Sequence, residues 1–240
     1  HVPPGFGVAK DGYPGVGGVC PDAFNGGKVD VQLTFSRNGK NWMRTMREPL
    51  LPVAPVAGNF PVDDGVVFPS STLTTDGGNN SERILIIASA SRREHGHMAE
   101  DFPMDSAILT YSLRRDGWVS LTAEAGYGYI GTRVLYWRTP DTLEMNIDAR
   151  FGRARARLTN SSGYPLEGFD YHDCIPFSGD DTAWRPYWGK RNMTHVVYRV
   201  ELELLNARVW SIRGDFIVMQ TVQVNEFATS GTVPDYRPGF

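Results

Sequence analysis

Several groups of residues in this 240-residue sequence carry side chains that could do chemistry. Glu94-His95-Gly96-His97, followed by Glu100 and Asp101, joins imidazole to carboxylate, and both are ligands for divalent ions. A His-Gly-His loop, however, fixes no coordination geometry. Asp170, Asp173, Asp180 and Asp181 offer hard oxygen donors from a loop-rich stretch, a chemistry that suits Ca²⁺. The same aspartates also serve as ordinary turn formers. Trp184, Tyr187 and Trp188 lie in a segment punctuated by Gly and Pro, where exposed rings could stack on the apolar face of a sugar. The alternative is that they cover a core, the usual place for large aromatics. Ser162, Ser178 and His172 are the ingredients of a hydrolase triad, but the Gly-x-Ser-x-Gly elbow that exposes such a serine does not occur. Arg153, Arg155 and Arg157 alternate, so one face of a strand would turn guanidinium groups toward water or an anion.

The elements that must position these groups read as strands. Val29, Val31, Leu33 and Phe35 alternate with polar residues, and Asn38-Gly39 supplies a hairpin turn toward Trp42. Further strands are expected at 65–69, 83–88 and 106–113, which together make about one four-stranded sheet. Others follow at 118–121, 132–137, 142–148, 153–159, 194–204, 208–213 and 215–223. No helix longer than two turns is expected. The 26 Gly and 16 Pro are spread along the chain and cut it at the 8–12-residue spacing of a β-sandwich. Residues 1–28 hold eight Gly and four Pro between Phe6, Tyr13 and Phe24, a composition that suits an extended arm anchored by its rings.

Composition narrows function and compartment. Lys plus Arg number 24 against 27 Asp plus Glu, a net charge of −3 without a basic block, which excludes a nucleic-acid binder held by its electrostatic footprint. No apolar run approaches the roughly 20 residues of a spanning helix, so no membrane span is expected. Acceptor sequons at Asn79, Asn160 and Asn192 point to a glycoprotein of the secretory pathway or extracellular space. There Cys20 and Cys174 would close as a disulfide, the alternative being two buried thiols.

The segment from Leu33 to Trp42 (LTFSRNGKNW) resembles a blade hairpin of five-bladed propellers of the glycosyl hydrolase family 32-like type. Ser112 to Leu121 (SLRRDGWVSL) resembles the link from the last blade of such a propeller into its C-terminal β-sandwich. The likeness continues through Leu143–Asp148, Gly168–Cys174, Ser178–Asp180 and Leu205–Ile212, covering about residues 29–216. It implies an all-β chain in which a partial propeller blade packs on a concanavalin-like, jelly-roll β-sandwich. The expected organisation is an arm at 1–28, a partial blade at 29–112, a sandwich at 113–226 and a tail at 227–240.

By the same resemblance, Asp64 and His95 match last-blade positions that face a propeller's axial funnel and would bind sugar hydroxyls. The aromatic pair that precedes such a histidine is replaced here by Ile87-Ala88-Ser89-Ala90, which removes a stacking platform. The motifs that carry the family's catalytic carboxylates do not occur, so no catalytic residue is carried over. The expected function is therefore a secreted, non-catalytic glycoprotein segment acting in carbohydrate binding or extracellular assembly. Two alternatives stand beside it: the C-terminal portion of a glycoside hydrolase whose carboxylates lie on a separate chain, and a purely structural interaction module. A lone blade leaves its faces uncovered, so a companion chain or homo-oligomer is expected. No cofactor is expected beyond the candidate Ca²⁺.

Overall fold

The computed structural model describes residues 27–44, 46–53, 62–77, 82–92, 95, 106–189 and 194–232. The fold is all-β, with antiparallel sheets of sandwich-like character and one short helix. The chain divides into two compact units, His1–Arg114 and Arg115–Phe240. No described helix is long and apolar enough to cross a membrane.

In the first unit Asn38-Gly39 turns the chain between β1 (Phe35–Ser36) and β2 (Trp42–Met43). Asn38 Oδ1 accepts from the Lys40 and Asn41 amides at 2.9 Å, and Gly39 takes φ 69°, the left-handed conformation that this turn needs. Strands β3 (Val66–Thr75), β4 (Arg83–Ser91) and β5 (Ser106–Arg114) form a three-stranded antiparallel meander. Instead of forming a continuous fourth strand, the alternating run after Val29 meets the meander at one bridge, Val29 to Val66, while Val31 bridges to Leu51 outside it. Val67, Ile86, Ala88 and Ala90 are buried, while Phe68, Ile87 and Ile108 on the opposite face are exposed.

The second unit is organised by β11 (Val197–Arg213), a 17-residue strand where two shorter ones were expected. The interruption between them is a bulge in the strand alongside. Asn206, with φ 43°, stands opposite residues 124–126 of that partner, so the register slips between Leu205 and Ala207 before pairing resumes. β6 (Leu121–Gly131) and β7 (Leu135–Trp137) run end to end along one edge of β11; β8 (Glu144–Asp148) and β9 (Arg153–Thr159) run along the other. β10 (Asp180–Trp184) pairs outside β8, and β12 (Phe216–Val218) outside β7.

Period-two alternation assigns the faces of this sheet. Tyr198, Val200, Leu202 and Leu204 point inward with Ala154, Ala156 and Leu158, and all seven are at most 1% exposed. Trp137 stacks on Tyr198 at 5.0 Å between centroids and also meets Phe216. The free edge of β9 is covered without a strand. Its amides at Ala154 and Leu158 donate to the carbonyls of Phe177 and Phe169, and that of Ala156 donates to the Cys174 sulfur at 3.4 Å. Trp188 Nε1 donates to the Ala156 carbonyl at 2.9 Å. Every outward group on that edge thus finds a partner, which closes it to further pairing.

The segment expected to be a strand at 215–223 contains β12 and then a helix, α1 (Thr221–Ser230). Gln223 Oε1 accepts from the Gln220 amide at the start, and Gly231 ends the helix with φ 69° and an amide bond to the Phe227 carbonyl. Val224 and Phe227 sit one turn apart and pack on Val134, Val197 and Met219. That helical spacing outweighs the strand propensity of the valines.

Candidate functional site

The outward face of β6, β11 and β9 concentrates polar and aromatic side chains in register. The sequence of β9, Arg-Ala-Arg-Ala-Arg, sends its alanines into the core and its three arginines outward. Across the ladder Arg157 faces Glu201, Arg155 faces Glu203 and Arg153 faces Leu205. On the other edge of β11, Glu203 faces Tyr129 and Leu205 faces Tyr127. The row Tyr129–Glu203–Arg155 therefore spans three strands.

Distances show how firmly this row is held. Arg155 Nη2 and Nε donate to Glu203 Oε1 at 2.6 and 3.0 Å, and the Tyr129 hydroxyl donates to Glu203 Oε2 at 3.3 Å. Partial burial, helped by the Glu203 carboxylate, raises the Tyr129 phenol above the usual tyrosine range, so it stays a protonated donor. One row along, Arg157 pairs with Glu201 at 2.7 Å, which also accepts from Thr159 Oγ1. The Arg157 guanidinium lies 4.6 Å above the Tyr171 ring, a cation–π contact that backs that ring. Tyr171 in turn lies 6.3 Å from Tyr129. In the third row Arg153 donates to the Tyr127 hydroxyl and sits 5.4 Å from its ring.

Tyr127 and Tyr129 remain 49% and 65% exposed. Two open rings on one strand face, edged by guanidinium and carboxylate, can take the apolar face of a sugar and the hydroxyls at its rim. Beyond Tyr127 the bulge opens a groove of about 420 Å³ lined by Thr122, Glu124, Asp148, Phe151, Asn206 and Arg208, with Phe151 84% exposed at its side. Gly152 is required here, because a Cβ at that position would overlap the Leu205 carbonyl at the bulge.

Apart from the β9 arginines, and Asp170, whose carboxylate is 3.7 Å from Arg157 Nη1, the residues singled out from sequence fall elsewhere. Trp184 and Trp188, expected as stacking rings, are instead core residues, each 8% exposed. Trp184 stacks on Phe177, and Trp188 lies edge-on to Phe169. Of the three, Tyr187 alone is exposed, at 52%. The expected Ca²⁺ set does not assemble, and among the described residues no group of three or more His, Cys, Asp and Glu forms a metal site. Asp170 and Asp173 share one turn, where Asp173 accepts from the Asp170 amide and His172 stands beside both. Asp180 belongs to β10 and pairs with Arg150. Asp181 Oδ1 accepts from the Ala183 amide. These contacts are turn and edge chemistry.

In the first unit Asp64 pairs with Lys28 at 2.6 Å, and the His95 backbone pairs with Gly27, so residues 27 and 28 stand next to both. The His95 ring is edge-on to Phe68. Glu94, His97, Glu100, Asp101, Asn79, Asn192 and Cys20 lie outside the described residues, as do residues 1–26 and 233–240. Cys174 is a buried free thiol whose pKa is pushed up by burial. Asn160 holds a surface turn, its Oδ1 accepting from the Ser162 and Tyr164 amides.

Sequence reasoning found the arginine face but missed its rings. The run Gly126-Tyr127-Gly128-Tyr129 is so rich in glycine that it reads as a loop, although Tyr at i and i+2 is itself a strand signal. Compared with protein-family models, with curated proteins and with solved structures, the chain has no match in any of the three.

Proposed function

We propose that Arg115–Phe240 is a non-catalytic carbohydrate-binding unit of a secreted glycoprotein, and that its glycan lies across the open face of β6, β11 and β9. The observation that carries this reading is the exposure of Tyr127 and Tyr129 side by side on that face, the second held by the Arg155–Glu203 pair. A ring fixed from behind loses little freedom on binding and offers its face to C–H groups, the usual arrangement for holding a sugar. Binding suits the face better than hydrolysis, because Glu201 and Glu203 each already accept a guanidinium. The family 32-like resemblance, which belongs to carbohydrate-active proteins, supports the same reading, and the sequons support secretion.

A glycan array probed with the whole chain, followed by calorimetry on its best ligand, tests the proposal. Tyr127→Ala and Tyr129→Ala are each expected to weaken binding about 10- to 100-fold, the usual loss for one stacking ring at a binding hot spot. Tyr187→Ala, on a separate loop, is expected to bind normally. A blank array, or tyrosine variants that bind like the parent, refutes the assignment.

A further inference from the structure

The three arginines of β9 are alike in sequence and unlike in their partners. Arg157 and Arg155 face Glu201 and Glu203, and each makes an ion pair with its opposite residue. Arg153, next in the series, faces Leu205. Among the described residues it has no carboxylate partner, only the hydroxyl and ring of Tyr127. A cation partly withdrawn from water without a counter-charge is a costly arrangement, and an incoming anion relieves it. Here the cation stands beside an exposed tyrosine at the border of the bulge groove.

Resting on the glycan-binding reading above, we infer that the sugar carried on this face is acidic, with a carboxylate or sulfate ester seated on the Arg153 guanidinium while a neighbouring ring covers Tyr127 or Tyr129. Arg153 Nε is buried without an acceptor, so recognition falls to the Nη groups, of which Nη2 also holds the Tyr127 hydroxyl. Planar guanidinium matches both carboxylate and sulfate oxygens in paired hydrogen bonds. Arg208, at the groove, repeats the pattern: its Nε donates to Thr122 Oγ1 at 3.0 Å, its guanidinium stands 5.8 Å from the Trp210 ring, and it has no carboxylate partner among the described residues. The groove's own carboxylates direct the acid group toward Arg153. Asp148 is engaged by Arg150 at 2.7 and 3.0 Å, and Glu124 stands on the β6 side. With a net charge of −3 the chain as a whole does not attract polyanions, so any acidic preference must be local.

Affinity electrophoresis of the whole chain separates the sources of the anion. Polygalacturonate is compared with its fully methyl-esterified form, and dextran sulfate with dextran. A preference of about tenfold for the charged member of at least one pair is expected, shrinking between 50 and 200 mM salt. Arg153→Gln is expected to reduce the charged polymer to the level of its neutral counterpart, and Arg153→Lys to restore part of the difference. Tyr129→Ala is expected to weaken charged and neutral polymers together. Arg138→Gln, whose side chain pairs with Asp215, serves as the control that leaves the preference intact. Equal retardation by charged and neutral polymers, or a preference that survives in folded Arg153→Gln, overturns the acidic assignment while leaving glycan binding in place. Retardation by none of the four, together with a blank array, removes both.

Discussion

Glu203→Gln is the substitution that most directly tests how the face is held. Glu203 and Arg155 expose only 10% and 25% of their side chains, and one carboxylate oxygen takes both guanidinium bonds. Glutamine keeps the shape and one acceptor oxygen but removes the charge, stranding a guanidinium among three strands and leaving the Tyr129 hydroxyl opposite an amide nitrogen. Breaking a fully buried pair from one side costs about 3–5 kcal/mol. Because Arg155 keeps some contact with water and one hydrogen bond survives, about 2 kcal/mol is expected here. For a unit of this size that is a fall in Tm of roughly 6–10 °C. Urea unfolding at pH 7 measures the loss. Adding Arg155→Met removes the stranded cation, so the double variant is expected to recover about half of it, and the coupling energy follows from the cycle. Glycan affinity should fall with Glu203→Gln as well, since Tyr129 is no longer tethered. A Glu203→Gln chain within about 0.5 kcal/mol of the parent, or single losses that simply add in the double variant, would refute the idea of a coupled row.

Other consequences are independent of the glycan. Burial raises the Cys174 thiol, so its contribution to stability is complete below the pKa of the unfolded thiol, about 8.5, and is lost as pH rises toward the higher folded value. The Tm advantage of the parent over Cys174→Ser should therefore narrow between pH 7 and 10, and a constant difference would contradict it. Gly152→Ala is expected to destabilise by about 2–3 kcal/mol in urea unfolding, because the strand start must move off the Leu205 carbonyl. Phe227→Ala, which empties the main contact of α1 with Val134, Val197 and Met219, is expected to cost about 1–3 kcal/mol and to lower helical circular dichroism.

The parts of this chain that were legible in advance are those where local pattern and tertiary role agree. β9 is such a case: expected at 153–159, it occupies those residues, because arginine outside and alanine or leucine inside is a period-two code that needs no knowledge of the rest of the fold. The Asn38-Gly39 turn is another, since its geometry is written in two residues. β6 was illegible for the opposite reason. Its glycines do not pack; Gly128 admits the side chain of Ala123 in the same strand, where a Cβ would stand 2.8 Å away, and that need appears only once β6 bulges between the two. Trp184 and Trp188 are ambiguous in sequence because an aromatic in a Gly- and Pro-rich stretch serves a ligand or a core equally well. Here the edge of β9 decides, since Ala156 offers a carbonyl that the Trp188 indole satisfies.

The same distinction explains why the candidate site had to be read from register. An arginine every second residue says that one face is cationic, and nothing in β9 itself says which arginine is neutralised. That is set by β11, more than 40 residues away in the chain, where glutamates stand opposite two of the three positions and a leucine opposite the third. Had the bulge of β6 come two residues earlier along β11 than its place opposite Asn206, Glu203 would stand where the ladder breaks and the tyrosine row would lose its anchor. The ladder with β9 ends at the Leu205–Arg153 pair and the groove opens beyond it, so that the Arg153 guanidinium stands at the boundary beside the ring of Tyr127, with no carboxylate partner among the described residues. An uncharged residue at 153 is expected to leave the fold of this face intact, since Arg153 meets only Tyr127 among the described side chains, and on the proposed reading it removes the preference for an acidic ligand.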